Sequence, residues 1–121
     1  MEIPADVAIV GAGPAGATAA LMLAPSVRTV LVDRLDPQAE PDDAIRIGES
    51  LPAAARRLLR DMGVWDDFLL QAHVPCYARR SVWGGAAAMS TDSIADPDGP
   101  GWHLDRTRFD AWLRAWACPT G

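Results

Sequence analysis

The chain has 121 residues, half of them apolar and 22% charged, which fits one soluble globular domain with a modest core. Its net charge of −5 argues against non-specific binding to nucleic acid or an anionic membrane, since both need clustered positive charge. All eleven basic side chains are Arg, which excludes a lysine nucleophile or Schiff base within the chain.

Asp6 to Val10 is a short, β-branched apolar run, as expected of a buried parallel strand. A glycine turn, Gly11 to Gly16, follows. Pro14 to Leu23 reads as a helix and Pro25 ends it. Thr29 to Val32 is a second β-branched run, closed by Asp33. Strand, helix and strand fit the length of a βαβ unit over residues 1–34. The apolar stretch from Val7 to Ala24 has no basic residue before it and is broken by glycines and Pro14. It fits neither a secretory signal nor a membrane span, and a cytoplasmic protein is expected.

Leu35 to Asp43 is rich in Pro and Asp and reads as an exposed loop. A helical segment is expected over 44–72. Ser50 is its expected cap, and Leu51, Ala54, Ala55, Leu58, Leu59 and Met62 recur at helical spacing. Gly63 is a natural stop. Trp65 to Ala72 makes a further short helix with Asp66 and Asp67 in its first turn. Short strands and a last helix are expected over 80–117. Arg80 to Thr91, broken by Gly84-Gly85, reads as a hairpin or meander, and Trp102 to Leu104 as a strand. Thr107 is the expected cap of a final helix whose Phe109, Trp112, Leu113 and Trp116 share one face.

The chemistry lies in Gly11-Ala12-Gly13-Pro14-Ala15-Gly16, a G-x-G-x-x-G at a strand-to-helix turn. Gly11 permits the turn, Gly13 lets backbone approach a pyrophosphate, and Gly16 lets the helix pack closely on the sheet. Phosphates at such a turn face the free N–H groups and positive dipole end of the helix. Asp33, seventeen residues after Gly16, can accept hydrogen bonds from ribose hydroxyls and disfavours a 2′-phosphate. Gly11, Gly13, Pro14, Ala15, Gly16, Asp33 and the adjoining Arg34 are therefore candidate dinucleotide-binding residues. The motif alone leaves FAD and NAD both open.

His73 and His103 stand at no metal-ligand spacing with each other or with Cys76 and Cys118, and no metal site is expected. The two cysteines form no C-x-x-C and imply no disulfide framework. Ser50 has no sequence partner for nucleophilic chemistry.

Val7 to Gly16 with Ala20 resembles the FAD fingerprint of flavin-dependent monooxygenases and flavin-dependent halogenases. Arg46-Ile47-Gly48-Glu49-Ser50-Leu51-Pro52 is similar to the G-E-S segment of the halogenase-like branch. Gly101 to Asp110 is similar to the segment in which an Arg precedes a helix of the FAD domain. The resemblance implies that Arg46, Gly48, Ser50 and Arg106 lie near the cofactor, with the guanidinium groups suited to phosphate. It also implies the fold: an α/β, Rossmann-like FAD/NAD(P)-binding domain with a three-layer parallel sheet.

Two departures qualify the resemblance. Halogenases of the tryptophan and pyrrole type use a lysine to present the halogenating species, and this chain has none; their G-W-x-W-x-I-P stretch is also missing. Related flavoproteins are several times longer and carry a second FAD segment with a Gly-Asp pair and a substrate-binding sheet domain. The expectation is thus a partial FAD-binding domain, truncated on its C-terminal side, of a monooxygenase-like oxidoreductase. FAD is its cofactor and NADH or NADPH a possible electron donor, and the substrate is a small molecule or one of unknown kind. No catalytic residue is identified, and activity of this chain alone is not expected. The alternatives are a non-catalytic nucleotide-binding remnant, an NAD-linked dehydrogenase domain, or a halogenase. A missing C-terminal half, or association through an uncovered sheet edge, completes the expected partners.

Overall fold

The computed structural model describes residues 2–34 and 50–118. In chain order the elements are β1 (Val7–Val10), α1 (Pro14–Leu23), β2 (Thr29–Val32), β3 (Ser50–Leu51), α2 (Ala55–Asp61), α3 (Trp65–Leu70), β4 (Val74–Cys76), β5 (Ala78–Val82), β6 (Ala88–Asp92), a 3-10 turn (Ser93–Ala95), β7 (Gly101–His103) and α4 (Arg106–Ala117). They divide into two compact units. One holds β1, α1, β2 and α4, and the other holds β3 through β7.

In the first unit β1 and β2 pair in parallel, Val7 with Thr29 through Val10 with Val32. Parallel strands cannot be joined by a tight hairpin, and α1 is the crossover that joins them. Pro14 opens α1, where its fixed φ suits the helix and its missing N–H costs nothing. The helix turns Ala17 and Ala20 inward. α4 packs against α1 and buries Phe109, Asp110 and Leu113. This is the opening of a Rossmann-like α/β sheet. The strands alternate: Val7 and Ile9 are half-buried while Ala8 and Val10 are exposed, so one face of β1 is covered and the other bare. An exposed clamp ties the start of β1 to the residue before β2. The Asp6 carboxylate accepts hydrogen bonds from the Arg28 guanidinium at 2.8 and 3.0 Å and from the Arg28 backbone N–H at 3.1 Å. The guanidinium, and next the backbone N–H, hold the Asp6 carboxyl below its ordinary range.

The final helix differs from expectation in two respects. Thr107 lies inside its first turn, because Arg106 already belongs to the helix. Trp116 is 40% exposed, so the buried stripe is carried by Phe109 and Leu113. Trp112 is half-buried, its ring tilted against Phe109 at 5.8 Å.

In the second unit β7 is the middle strand of an antiparallel sheet, with β3 on one side and β4 on the other. Pro75 is tolerated because β4 is an edge strand. Ser50 was expected to cap a helix. It lies instead in β3 opposite His103, and the helix begins only at Ala55. The reason is Pro52, which disfavours helical backbone at Leu51 and keeps that residue extended against Trp102. The apolar face moves accordingly. Ala55 and Leu59 are buried, whereas Leu58 is largely exposed. The core is aromatic. Phe68 meets the edge of Trp102 at 5.3 Å and stacks on His73 at 5.5 Å, and Trp65 meets Trp102 at 5.5 Å. The Arg56 and Arg60 guanidinium groups lie over the ring of Trp65, a contact that joins α2 to α3. His73 is buried, and its Nδ1 accepts the Asp105 backbone N–H at 3.2 Å. β5 and β6 form a hairpin, Ala78 opposite Asp92 through Val82 opposite Ala88. Every residue of both strands is exposed, and Trp83 at its turn is 91% exposed.

Candidate functional site

The site is built at the end of β1. Gly11 has φ +102°, a conformation strained for any residue with a side chain. Its N–H donates to the Val32 carbonyl at 2.7 Å, which carries the strand pairing into the turn. Gly16 is needed for another reason: a Cβ there would stand 1.8 Å from the Gly11 carbonyl oxygen and 3.4 Å from the Ile9 side chain. The helix start can therefore sit this close to β1 only with hydrogen at that position. Gly13 is different again. A Cβ added to it meets nothing within 4 Å, so the turn opens onto free space beside its backbone.

Gly13 is the residue that begins α1, and no side chain caps the helix there. The first turn contains no acidic residue. A helix N-terminus with no capping side chain and no acidic residue in its first turn is suited to a bound anion. At the end of β2, Asp33 Oδ2 accepts a hydrogen bond from the Ala12 N–H. The acid and the turn are thereby fixed to one another. Such a cradle, with room beside Gly13, an uncapped helix start and a carboxylate at the neighbouring strand end, fits a dinucleotide.

Of the residues named from sequence, the first unit brings Gly11, Gly13, Pro14, Ala15, Gly16 and Asp33 together around this turn, with exposed Arg34 next in the chain. Arg106 opens α4 in the same unit. Ser50 lies in the other unit, on β3. Arg46 and Gly48 lie outside the described residues.

Sequence reading missed Asp110. It is 2% exposed, and it binds Arg106 through Nε at 3.1 Å and Nη2 at 3.3 Å. The signal was available: Arg106 and Asp110 are spaced i, i+4, and Asp110 falls beside Phe109 on the buried stripe. The arrangement carries an electrostatic cost. A cation at a helix N-terminus faces the positive end of the dipole, and this order of charges is the less favourable one.

The family model described as the FAD binding domain matches residues 4–117. The chain belongs to the FAD-binding domain family. Its dinucleotide is FAD, which resolves the choice the glycine motif left open. No curated protein matches the sequence. Solved structures do. The myxobacterial chondrochloren halogenase, an FAD-dependent halogenase, is 26% identical with a TM-score of 0.78; the match covers 93% of this chain and 26% of that one. The flavin-dependent halogenase CmlS is 27% identical with a TM-score of 0.76, covering 97% and 21%. A flavoprotein/dehydrogenase from Cytophaga hutchinsonii is 26% identical with a TM-score of 0.72, covering 93% and 27%. The chain thus spans about a quarter of the length of the solved proteins it matches. No helix among the described residues is long and apolar enough to cross a membrane.

Proposed function

We propose that this chain is the FAD-binding portion of a monooxygenase-like flavin oxidoreductase of the cytoplasm. The observation that carries the reading is the glycine turn itself, locked to Asp33 and opening onto free space at an uncapped helix start. In this reading the pyrophosphate lies against Gly13, Pro14, Ala15 and Gly16, where the turn and the first helical N–H groups face it. Asp33 accepts from a ribose hydroxyl of the adenosine half.

Arg106 pairs with a phosphate or ribose oxygen, as the resemblance implies. A guanidinium placed against the positive end of its own helix is costly for the fold, so an anionic ligand is a physical reason to keep it there. Buried Asp110 holds that guanidinium in one orientation. Bound FAD would supply the electron transfer and oxygen chemistry, with NADH or NADPH as the electron donor, while the chain's residues bind and orient it. Further chain, covalent or associated, would cover the bare face of β1. A halogenase reading draws on two of the structural relatives, but no lysine stands anywhere in the chain to hold an amine-bound halogen.

The test is FAD against NADH binding to the purified 121-residue chain, read by flavin absorbance after gel filtration and by calorimetry. Retention of FAD with no NADH binding is expected. Binding of NADH alone would move the reading to a dehydrogenase domain, and binding of neither would leave an inactive fragment.

A further inference from the structure

The second unit contains an open cavity of about 200 Å³ beside the base of the β5–β6 hairpin. Pro52, Ala53 and Ala54 form an apolar part of its wall, and Arg79, Asp92 and Asp96 supply its charges. The guanidinium of Arg79 is seated against Gly101. A Cβ at Gly101 would lie 3.4 Å from Nη2 and 2.6 Å from the Leu51 carbonyl oxygen, so bare backbone is what makes room for both. Among the described residues Arg79 has no ion-pair partner, although Asp92 and Asp96 line the same cavity.

Each carboxylate is held by one oxygen. Asp92 Oδ1 accepts the Ile94 N–H and Asp96 Oδ1 the Asp98 N–H, both at 2.9 Å. The Asp96–Asp98 turn is held in turn by the Arg57–Asp98 ion pair at 2.8 Å. The second oxygens of Asp92 and Asp96 have no protein partner among the described residues.

A cation and two carboxylates that share a cavity without neutralising each other are complementary to a molecule carrying both charges. We propose that this cavity binds a small zwitterion of the α-amino acid class. Its carboxylate pairs with the Arg79 guanidinium, which is suited to two parallel hydrogen bonds. Its ammonium group pairs with the Oδ2 atoms of Asp92 or Asp96, and a short apolar side chain lies along Pro52 to Ala54. This site is independent of the flavin reading, because every residue in it belongs to the unit that lacks the glycine turn.

The same cavity provides its own reporter. Cys76 lines it and is half-buried, whereas Cys118 is an exposed thiol of the other unit. L-leucine, glycine and L-serine are titrated into the 121-residue chain, with amide NMR shifts and iodoacetamide alkylation as readouts. L-leucine is expected to shift the Gly101 amide and to slow alkylation of Cys76, leaving Cys118 unchanged. Two analogues that each lack one charge, 4-methylpentanoate and 3-methylbutylamine, should bind about fivefold more weakly, the scale of one solvent-exposed ion pair. Arg79→Met should abolish the advantage of leucine over the amine, and Arg79→Lys should restore part of it. Absence of any shift or protection with all three amino acids overturns the proposal. So does equal binding of leucine and its one-charge analogues to the unaltered protein, a comparison that needs no variant to fold.

Discussion

The carboxylate of Asp33 accepts the backbone N–H of Ala12, joining the end of β2 to the middle of the glycine turn across twenty-one residues of sequence. In the proposed site one side chain would thus both set the shape of the glycine turn and present a charge to the ribose. Asp33→Ala removes both roles and should weaken FAD binding about 10- to 100-fold, the range for a charge-assisted hydrogen bond. Asp33→Asn can still accept from Ala12 and should lose less. Fluorescence titration of FAD against the two variants measures the difference, and equal losses would remove the turn-shaping role.

Gly13 and Gly16 should part company when substituted. Gly13 has open space around it and a φ of −70°, so the fold accepts Gly13→Asp. Asp is moreover a favoured residue at a helix start, and thermal stability should hold or rise by a few tenths of a kcal/mol. FAD binding should nonetheless disappear, because the carboxylate would occupy the proposed phosphate position. Gly16→Ala should act the other way round, destabilising the fold by about 2–3 kcal/mol as its methyl group meets the Gly11 carbonyl. Melting curves and flavin retention on the same two variants separate these effects.

Asp110 balances a largely buried guanidinium. Asp110→Ala leaves Arg106 buried without that partner and should cost about 3 kcal/mol in urea unfolding. A double variant that also replaces Arg106 with Leu should recover part of the stability while FAD affinity stays low. Full recovery of FAD affinity would count against a cofactor contact at Arg106.

Much of the first unit was legible because short-range rules decide it. The strand limits at Val10, Thr29 and Val32 and the whole of α1 follow from β-branched runs, Pro14 and the glycine spacing. In the second unit long-range pairing decides. Ser50 is a good helix cap by residue type, yet Leu51 lies before Pro52 and finds a partner in Trp102, fifty-one residues away. Val74 to Cys76 becomes a strand for the same reason, against a local pattern with a proline in its middle. The charges of the cavity were equally hidden: Arg79, Asp92 and Asp96 acquire meaning only when the hairpin brings them to one place.

Ala72 holds φ +55° between α3 and buried His73. A left-handed alanine costs about 1–2 kcal/mol, and a glycine gives back part of that as added freedom of the unfolded chain. Ala72→Gly should therefore stabilise the protein by about 0.5 kcal/mol, measured by the urea midpoint at constant slope.

The Asp6–Arg28 clamp predicts a pH dependence. The folded carboxyl titrates below its ordinary value, so its contribution is present above that value and is lost as pH falls through the lower, folded one. Carboxyl-carbon NMR should place the Asp6 midpoint below that of an unpaired aspartate, and Arg28→Gln should return it to the ordinary range.

The packing of α4 on α1 has a consequence for synthesis. Residues 50–105 are made whole before α4 exists, so their sheet and aromatic cluster can form while the βαβ segment ahead of them still waits for α4. On the ribosome the order of folding would then invert the order of translation, and the nascent chain would carry an open α1 surface, exposed to chaperones, until residue 117 had cleared the exit tunnel.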